Sequence, residues 1–523
     1  MKYALTREGS RAADNFTINE LGLPGMVLME SAGRAVVDIA LDILDDRGGF
    51  TAYILAGKGN NGGDGFVVAR YLLEAGVETV TFHTAAEQEY SGDALTNFRI
   101  LKQSTNNLYH IESVAALNEY TEDLFAADVL IDGLLGTGIT GAPREPYNYF
   151  IEWLNSYNAP TVSIDIPSGI DANTGQMPGT AVSAVATVTM GFLKAGLLFS
   201  PGRDIAGEVH VADIGIPESA LDQVGNIYHL PEADDIYYRL PVHASDTYKH
   251  RVGKFFSLCG ARGFTGAAAL VNRAALVSGA GLLFAGVPES LNNILETKMT
   301  EVITVPLPET SLGTFSAKGM EQIKENLDWS DVLAIGSGIT GNEDTMEMVS
   351  RVLSNYRKTA VVDADAATYF SGETLPQLKD SPADLILTPH WGEFARITGY
   401  SKEAITEDRL QIAQDFARDY EVTLVLKGAP TILASNNGTL FINTTGNAGM
   451  ATAGTGDVLT GMIAGFAAQG LPAVDAALVG MYLHGLAGDL AAENLTRYSV
   501  TAGALIDYLP EALTHVGEFY DHI

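Results

Sequence analysis

Asp457 closes the stretch N-T-T-G-N-A-G-M-A-T-A-G-T-G-D-V-L, residues 443–459, behind four glycines, Gly446, Gly449, Gly454 and Gly456. Glycine lets a backbone turn sharply and offer bare N–H groups to a ligand. The apolar helical pattern that follows adds the positive end of a helix dipole. Together they predict an anion cradle with one carboxylate at its lip, which points to phosphoryl chemistry with Asp457 as proton acceptor. No G-x-x-x-x-G-K-[ST] occurs in the chain, so a P-loop NTPase is excluded. A second set of candidates bears oxygen: Asn61, Asp132, Asp165 and Ser168, each in a loop after a run that reads as a strand. If those strands are parallel, their C-terminal ends share one edge and the four side chains converge there. Such a set suits a hard cation or a sugar-phosphate better than a soft metal.

Placing these residues takes alternating strands and helices. A helical pattern over residues 26–44 precedes a buried strand at 51–56, the glycine loop G-K-G-N-N-G-G-D-G at 57–65, a helix from Phe66 and a strand at 77–83. That is the first unit of a parallel, Rossmann-like sheet. Gly57, Gly59 and Gly62 satisfy G-x-G-x-x-G, but no carboxylate closes the second strand before Glu87, which disfavours a hydride-transfer dinucleotide site. Residues 217–246 carry prolines, acidic clusters and little periodicity, as connectors do. They place a join near residue 220 and divide the chain into domains 1–220 and 221–523; the piece I-Y-H-L within them could be an edge strand of either neighbour. Beyond the join, strand-like runs at 255–258, 281–287, 301–306, 332–335, 359–362, 385–387 and 422–426 each lead into a loop or helix. The fold class is α/β, with two α/β/α domains.

The chain has 523 residues, 64 acidic against 31 basic, for a net charge of −33. That balance argues against nucleic acid or an anionic membrane as partner, since phosphate backbones need a basic surface. A single cysteine, Cys259, excludes an intrachain disulfide and a multi-cysteine metal cluster, and reads as a buried apolar residue. The N-terminus has no apolar signal core, and long uncharged runs such as 458–474 are broken by Gly, Gln and Pro. A cytoplasmic, homo-oligomeric enzyme is expected.

N-N-G-G-D-G at 60–65, D-G-L-L-G-T-G at 132–138, D-I-P-S-G at 165–169 and V-A-D-I-G-I-P at 211–217 resemble the YjeF N-terminal family, the NAD(P)H-hydrate epimerases, over about residues 1–217. The resemblance implies that Asn60, Asn61, Gly62, Gly63 and Asp64 contact the hydrated dinucleotide. It implies the same for Gly136, Thr137, Gly138, Ile139, Thr140, Gly141 and Ala142. It further implies that Asp165 is the acid/base residue and that Asn61, Asp132 and Ser168 surround potassium.

In the second half, G-A-R-G-F-T-G-A at 260–267, T-P-H-W-G-E at 388–393, K-G at 427–428 and N-A-G-M-A-T-A-G-T-G-D at 447–457 resemble the NAD(P)H-hydrate dehydratases of the ribokinase-like superfamily, over about residues 225–523. Trp391 departs from the proline common there. The resemblance implies that Lys427, Gly428, Ala429, Pro430 and Thr431 hold the nucleotide. Asn447, Ala448, Gly449, Met450, Ala451, Thr452, Ala453, Gly454, Thr455 and Gly456 would join them. Ala267, Gly338, His390, Trp391, Gly392, Glu393, Phe394, Ala395, Arg396 and Asp457 would face the hydrated nicotinamide. Asp363 and Asp365 read as helix caps.

Taken together, the two resemblances imply repair of water-damaged NADH and NADPH. The first domain would interconvert R and S hydrates. The second would dehydrate the S form with ADP, giving AMP and phosphate, with magnesium as counter-ion. The alternative is a ribokinase-like vitamin or sugar kinase with a non-catalytic N-terminal binding module.

Overall fold

Thr51–Ala56 is buried along its whole length, as a strand covered on both faces must be, and its T-A-Y-I-L-A is apolar rather than alternating. In the computed structural model, which describes residues 1–122, 124–246 and 248–518, it pairs in parallel with Glu78–His83 on one side and Val129–Gly133 on the other. The first sheet runs Leu108–His110, Glu78–His83, Thr51–Ala56, Val129–Gly133, Thr161–Ile164, Ala186–Met190, Glu208–Ala212, all parallel. Strand order reverses between Thr51–Ala56 and Val129–Gly133, so the loops leaving their C-terminal ends diverge and open a crevice. Helices Gly25–Arg47 and Asn60–Glu74 lie on one face and bury Val36, Ala40, Phe66 and Val68 with Ile54 and Ile131 of the strands.

The second unit has its own sheet. Ile303–Leu307, Leu282–Pro288, Lys254–Leu258, Val332–Ile335, Thr359–Val362, Asp384–Leu387 and Thr423–Leu426 follow one another in parallel. The chain then doubles back through Thr431–Ala434 and Leu440–Asn443, paired antiparallel. Order reverses between Lys254–Leu258 and Val332–Ile335. Helix Thr455–Ala468 is buried on every side from Val458 onward, which explains its unbroken apolar sequence. It packs with Thr265–Val277 and Ala473–Asn494 around Val271, Ile463 and Leu478.

The two compact units are residues 3–228 and the chain from His229 on together with Met1 and Lys2, so they part some residues beyond the expected join near 220. I-Y-H-L does form a strand, Ile227–Leu230. No helix among the described residues is long and apolar enough to cross a membrane. Cys259 is buried and unoxidised.

Candidate functional site

The crevice of the first unit is a cavity of about 710 Å³. Asn60, Asn61, Asp64, Gly136, Thr137, Gly138, Ile139, Thr140, Ala142 and Asp165 all line it. Gly62, Gly63 and Gly141 do not. The expected loop 57–65 is in fact shorter, because the helix begins at Asn60 rather than Phe66. Packing overrides the poor helix propensity of N-N-G-G: a Cβ on Gly62 would sit 1.9 Å from the Gly57 carbonyl oxygen, and one on Gly63 2.7 Å from the Met29 methyl. These two glycines let the helix press against its neighbours, while Gly141 lies exposed in a turn.

Asp165 follows strand Thr161–Ile164 in a left-handed conformation, φ 64°, a strained state for a residue with a Cβ. Its Oδ1 accepts from the Met190 backbone N–H at 3.2 Å and pairs with Lys194 Nζ at 2.6 Å. Lys194 is only 3% exposed and also donates to the Met190 carbonyl at 2.7 Å. Asp64 and Asp14 line the same cavity. Burial, then the charges of Asp165 and Asp14, push the Asp64 carboxyl well above the usual carboxylate range. Burial likewise raises Asp14, against the opposing pull of Lys194. Beneath the floor, Asp132 and Ser168 are fully buried. Ser168 Oγ donates to Asp132 Oδ1 at 2.6 Å, and Asn61 Nδ2 and Ser168 Oγ both reach the Leu135 carbonyl, at 3.2 and 3.1 Å. Asn61, Asp132 and Ser168 of the predicted oxygen set are thus brought together around Leu135, while Asp165 pairs with Lys194.

The wall opposite comes from helix Arg7–Asn15, through Ser10, Arg11 and Asp14. Thr6 caps this helix by accepting from the Gly9 N–H. Arg7, 6% exposed, ties it down through a 3.0 Å ion pair to Asp171.

In the second unit Gly454, at φ 94°, caps helix Thr455–Ala468 and puts Asp457 in its first turn. The first N–H groups of a helix have no partner within it, so the cradle exists as backbone. Lys427 Nζ lies where a Cβ on Gly456 would meet it at 3.2 Å. Burial first, then the charge of Asp363, raise the Asp457 carboxyl to about 6, with Lys427 offsetting part of the rise. Gly338, at φ 69°, is packed on Ala267, whose Cβ a side chain there would meet at 2.9 Å.

His390 and Lys427 bridge in parallel, and the Lys427 N–H donates to the Pro389 carbonyl at 2.9 Å. The Trp391 indole nitrogen sits 2.3 Å from where a Gly428 Cβ would be. So T-P-H-W-G-E and K-G-A-P-T meet. His390 caps helix Trp391–Thr398, Nδ1 accepting from Gly392 and Glu393, which leaves its ring proton on Nε2. Glu393 returns the bond to the His390 N–H at 2.8 Å. Phe394 does not face a ligand: it is fully buried, edge-on to Phe416. Arg396 is exposed and Ala395 half-buried on the same helix. Gly428 through Thr431 form the turn into Thr431–Ala434, pinned by Thr431 Oγ1 on the Gly428 carbonyl. Asn447 caps Ala448–Met450, bonds Gly488 and Asp489, and leaves Ala451, Thr452 and Ala453 exposed ahead of Gly454 and Thr455.

Residues 25–196 match the family model described as YjeF-related protein N-terminus, and residues 256–511 that of NAD(P)H-hydrate dehydratase. The bifunctional NAD(P)H-hydrate repair enzyme Nnr of Moorella thermoacetica is 40% identical over 517 residues, 99% of this chain and 97% of that one. This chain belongs to the bifunctional NAD(P)H-hydrate repair enzymes. The Escherichia coli K12 relative of the same name is 32% identical over 503 residues, 96% of this chain and 92% of that one. Among solved structures, the ADP/ATP-dependent NAD(P)H-hydrate dehydratase from Bacillus subtilis, co-crystallized with ATP/Mg2+, aligns at 27% identity and a TM-score of 0.49, over 55% of this chain and 99% of its own. As a member of this family the chain joins an epimerase to a dehydratase, and the sugar- or vitamin-kinase alternative falls.

Several residues of this repair enzyme's sites carried no signal in the sequence reading. Lys194 and Asp14 lie outside every motif, and Asp14 precedes the matched residues 25–196 altogether. Asp489, which accepts from the Gly446 N–H at 2.7 Å, and His484, half-buried with Nε2 on the Thr455 carbonyl at 2.9 Å, sit in an apolar helix that reads as core. The run of glycines they brace was the available signal.

Proposed function

We propose that the first unit inverts the hydroxyl-bearing carbon of NAD(P)H hydrates through Asp165, and that the second dehydrates the S hydrate through Asp457 with ADP as phosphate donor. What carries this reading is Asp457 in the first turn of a glycine-opened helix with Lys427 beside it. A carboxyl raised to about 6 is ionised at neutral pH yet basic enough to take a hydroxyl proton. The terminal phosphoryl passes to that hydroxyl as Asp457 accepts its proton, while the N–H groups at 454–456 and the Lys427 ammonium meet the developing charge. The C–O bond to phosphate then breaks as the neighbouring ring carbon loses its proton to solvent, so the ring double bond re-forms and phosphate and AMP are released.

In the first unit, Asp64, whose carboxyl burial raises well above the usual carboxylate range, is the group that would give a proton to the departing hydroxyl as the ring nitrogen's electrons form the C=N bond. Water returns to the other face and yields a proton to Asp165, which Lys194 orients. Asn61, Asp132 and Ser168 fit potassium, since the set offers hard oxygen donors at one strand edge. Bound there, the ion supplies fixed positive charge near the dinucleotide. No group of three His, Cys, Asp or Glu among the described residues could hold a metal, which suits magnesium arriving on nucleotide phosphates. A homo-oligomer working in the cytoplasm belongs to the same reading; sedimentation of the purified chain tests its oligomeric state.

The test is to incubate mixed R and S hydrate with protein, ADP and magnesium and follow the reduced-nicotinamide absorbance. The full mixture should be recovered by the wild type. Asp165→Asn should stop after the S fraction. If Asp165→Asn still recovers both forms at the wild-type rate, the assignment of Asp165 is wrong.

A further inference from the structure

Ser337, Asp363, Thr388 and Lys427 follow the C-terminal ends of four adjacent parallel strands, Val332–Ile335, Thr359–Val362, Asp384–Leu387 and Thr423–Leu426. They form one network with Asp363 at its centre. Asp363 Oδ1 accepts from Lys427 Nζ and from Thr388 Oγ1, each at 2.8 Å, and Oδ2 accepts from Ser337 Oγ at 2.9 Å. The carboxylate is 2% exposed. Asp363 does occupy the cap position of helix Ala364–Tyr369, as its sequence context suggests, but its side chain makes no cap bond. Its oxygens are committed to the network instead.

We propose that Asp363 is a positioning residue of the dehydratase: it holds the Lys427 ammonium against the first turn of helix Thr455–Ala468, where that ammonium meets the terminal phosphate of a nucleoside diphosphate. The proposal rests on the reading of Lys427 as a nucleotide contact. A lysine head on a four-carbon stem is a mobile point charge, and a charge aids a transition state most when it is already in place. The ion pair fixes it, while Ser337 and Thr388 satisfy the remaining lone pairs of a carboxylate that burial alone would neutralise. Burial opposes the charge on Lys427 as well, and Asp363 more than compensates. The other groups facing this cluster are Asp457 and Glu393 toward Lys427, Asp365 toward Asp363, Cys259 toward Asp457 and Asp363, and His484, neutral through burial, toward Thr455 and Lys427. None of them replaces Asp363 as the partner at 2.8 Å.

The experiment uses the full-length protein, mixed hydrate, ADP and magnesium, with the circular dichroism spectrum as the control for folding. Asp363→Asn should raise the KM for ADP at least tenfold and lower kcat. It should also move the acid limb of kcat to lower pH, because a like charge beside Asp457 is lost and Lys427 is freed to pair with Asp457. A merely structural role would change thermal stability and leave that limb in place. Should the single variant fail to fold, Lys427→Met with Asp363→Asn leaves no unpaired buried charge. This double variant should lose no more than Lys427→Met alone, since both changes remove one contact. An unchanged KM and acid limb in Asp363→Asn, or a further tenfold loss in the double variant, overturns the proposal. If the wild type itself regenerates no reduced cofactor from hydrate and ADP, the functional reading fails and this proposal falls with it.

Discussion

Each unit leads into a helix through clustered glycines, and the glycines serve different ends. In the first, Gly62 and Gly63 face inward and let helix Asn60–Glu74 press onto Gly57 and Met29; Asp64 follows on the same helix, while Asp165 and Lys194 stand on other elements. In the second, Gly454 opens the helix and Asp457 is itself in the first turn, so the proposed anion cradle and base are one piece of backbone. Glycine density therefore marks a close approach in both units, but marks the chemistry only where a titratable residue rides on the same turn. Loss and return of a hydroxyl can be run by side chains from separate elements. Holding a phosphoryl group calls for convergent N–H donors, which a helix start supplies ready-made.

That contrast can be broken or sharpened by experiment. Asp457→Asn should lower dehydratase kcat by about 10²–10⁴-fold, the range for loss of a positioned proton acceptor. Epimer interconversion, followed chromatographically, should be unchanged; a parallel loss would mean the two centres are not independent. Lys194→Met should cost the epimerase about 10²-fold by removing the partner that orients Asp165, with no change in ADP-dependent recovery of the S form. The pH profile separates the units next. Asp457 acts ionised and its carboxyl stands at about 6, so dehydratase kcat should fall as pH drops through 6, about tenfold by pH 5. A profile flat to pH 5 would remove Asp457 as the base. Smallest is Gly454→Ala. At φ 94° and 2.6 Å from a Leu270 methyl, the new Cβ should destabilise the second unit by about 1–3 kcal/mol, measured by chemical denaturation.

Much of this architecture was legible in the sequence. Strands 51–56, 332–335 and 359–362 stand where apolar runs end at glycine or aspartate, because a buried parallel strand leaves little choice of residue. The loops at 57–65 and 388–396 were harder. Tertiary packing extends the first helix back to Asn60, and the i, i+3 alternation of a capping helix turns Phe394 inward. The antiparallel return through Thr431–Ala434 and Leu440–Asn443 went unread as strands, although S-N-N-G between them is a turn signal. Lys194 was invisible because its partner lies far upstream and nothing local in G-F-L-K-A-G marks a charge that will be buried. Asp363 was read as a cap, which is its place in the backbone. Its partners on three other strands exist only once the sheet has formed.

Trp391, one of three tryptophans in the chain, packs its indole nitrogen on Gly428, with the Arg409 guanidinium 5.9 Å from its ring centroid. Trp153 is buried in the other unit and Trp329 is stacked on Phe284, so neither should respond to events at the nucleotide loop. The chain therefore carries its own optical reporter. Its emission should change if a nucleotide settles, as proposed, on residues 427–431, and titrating that signal would read occupancy without any added label.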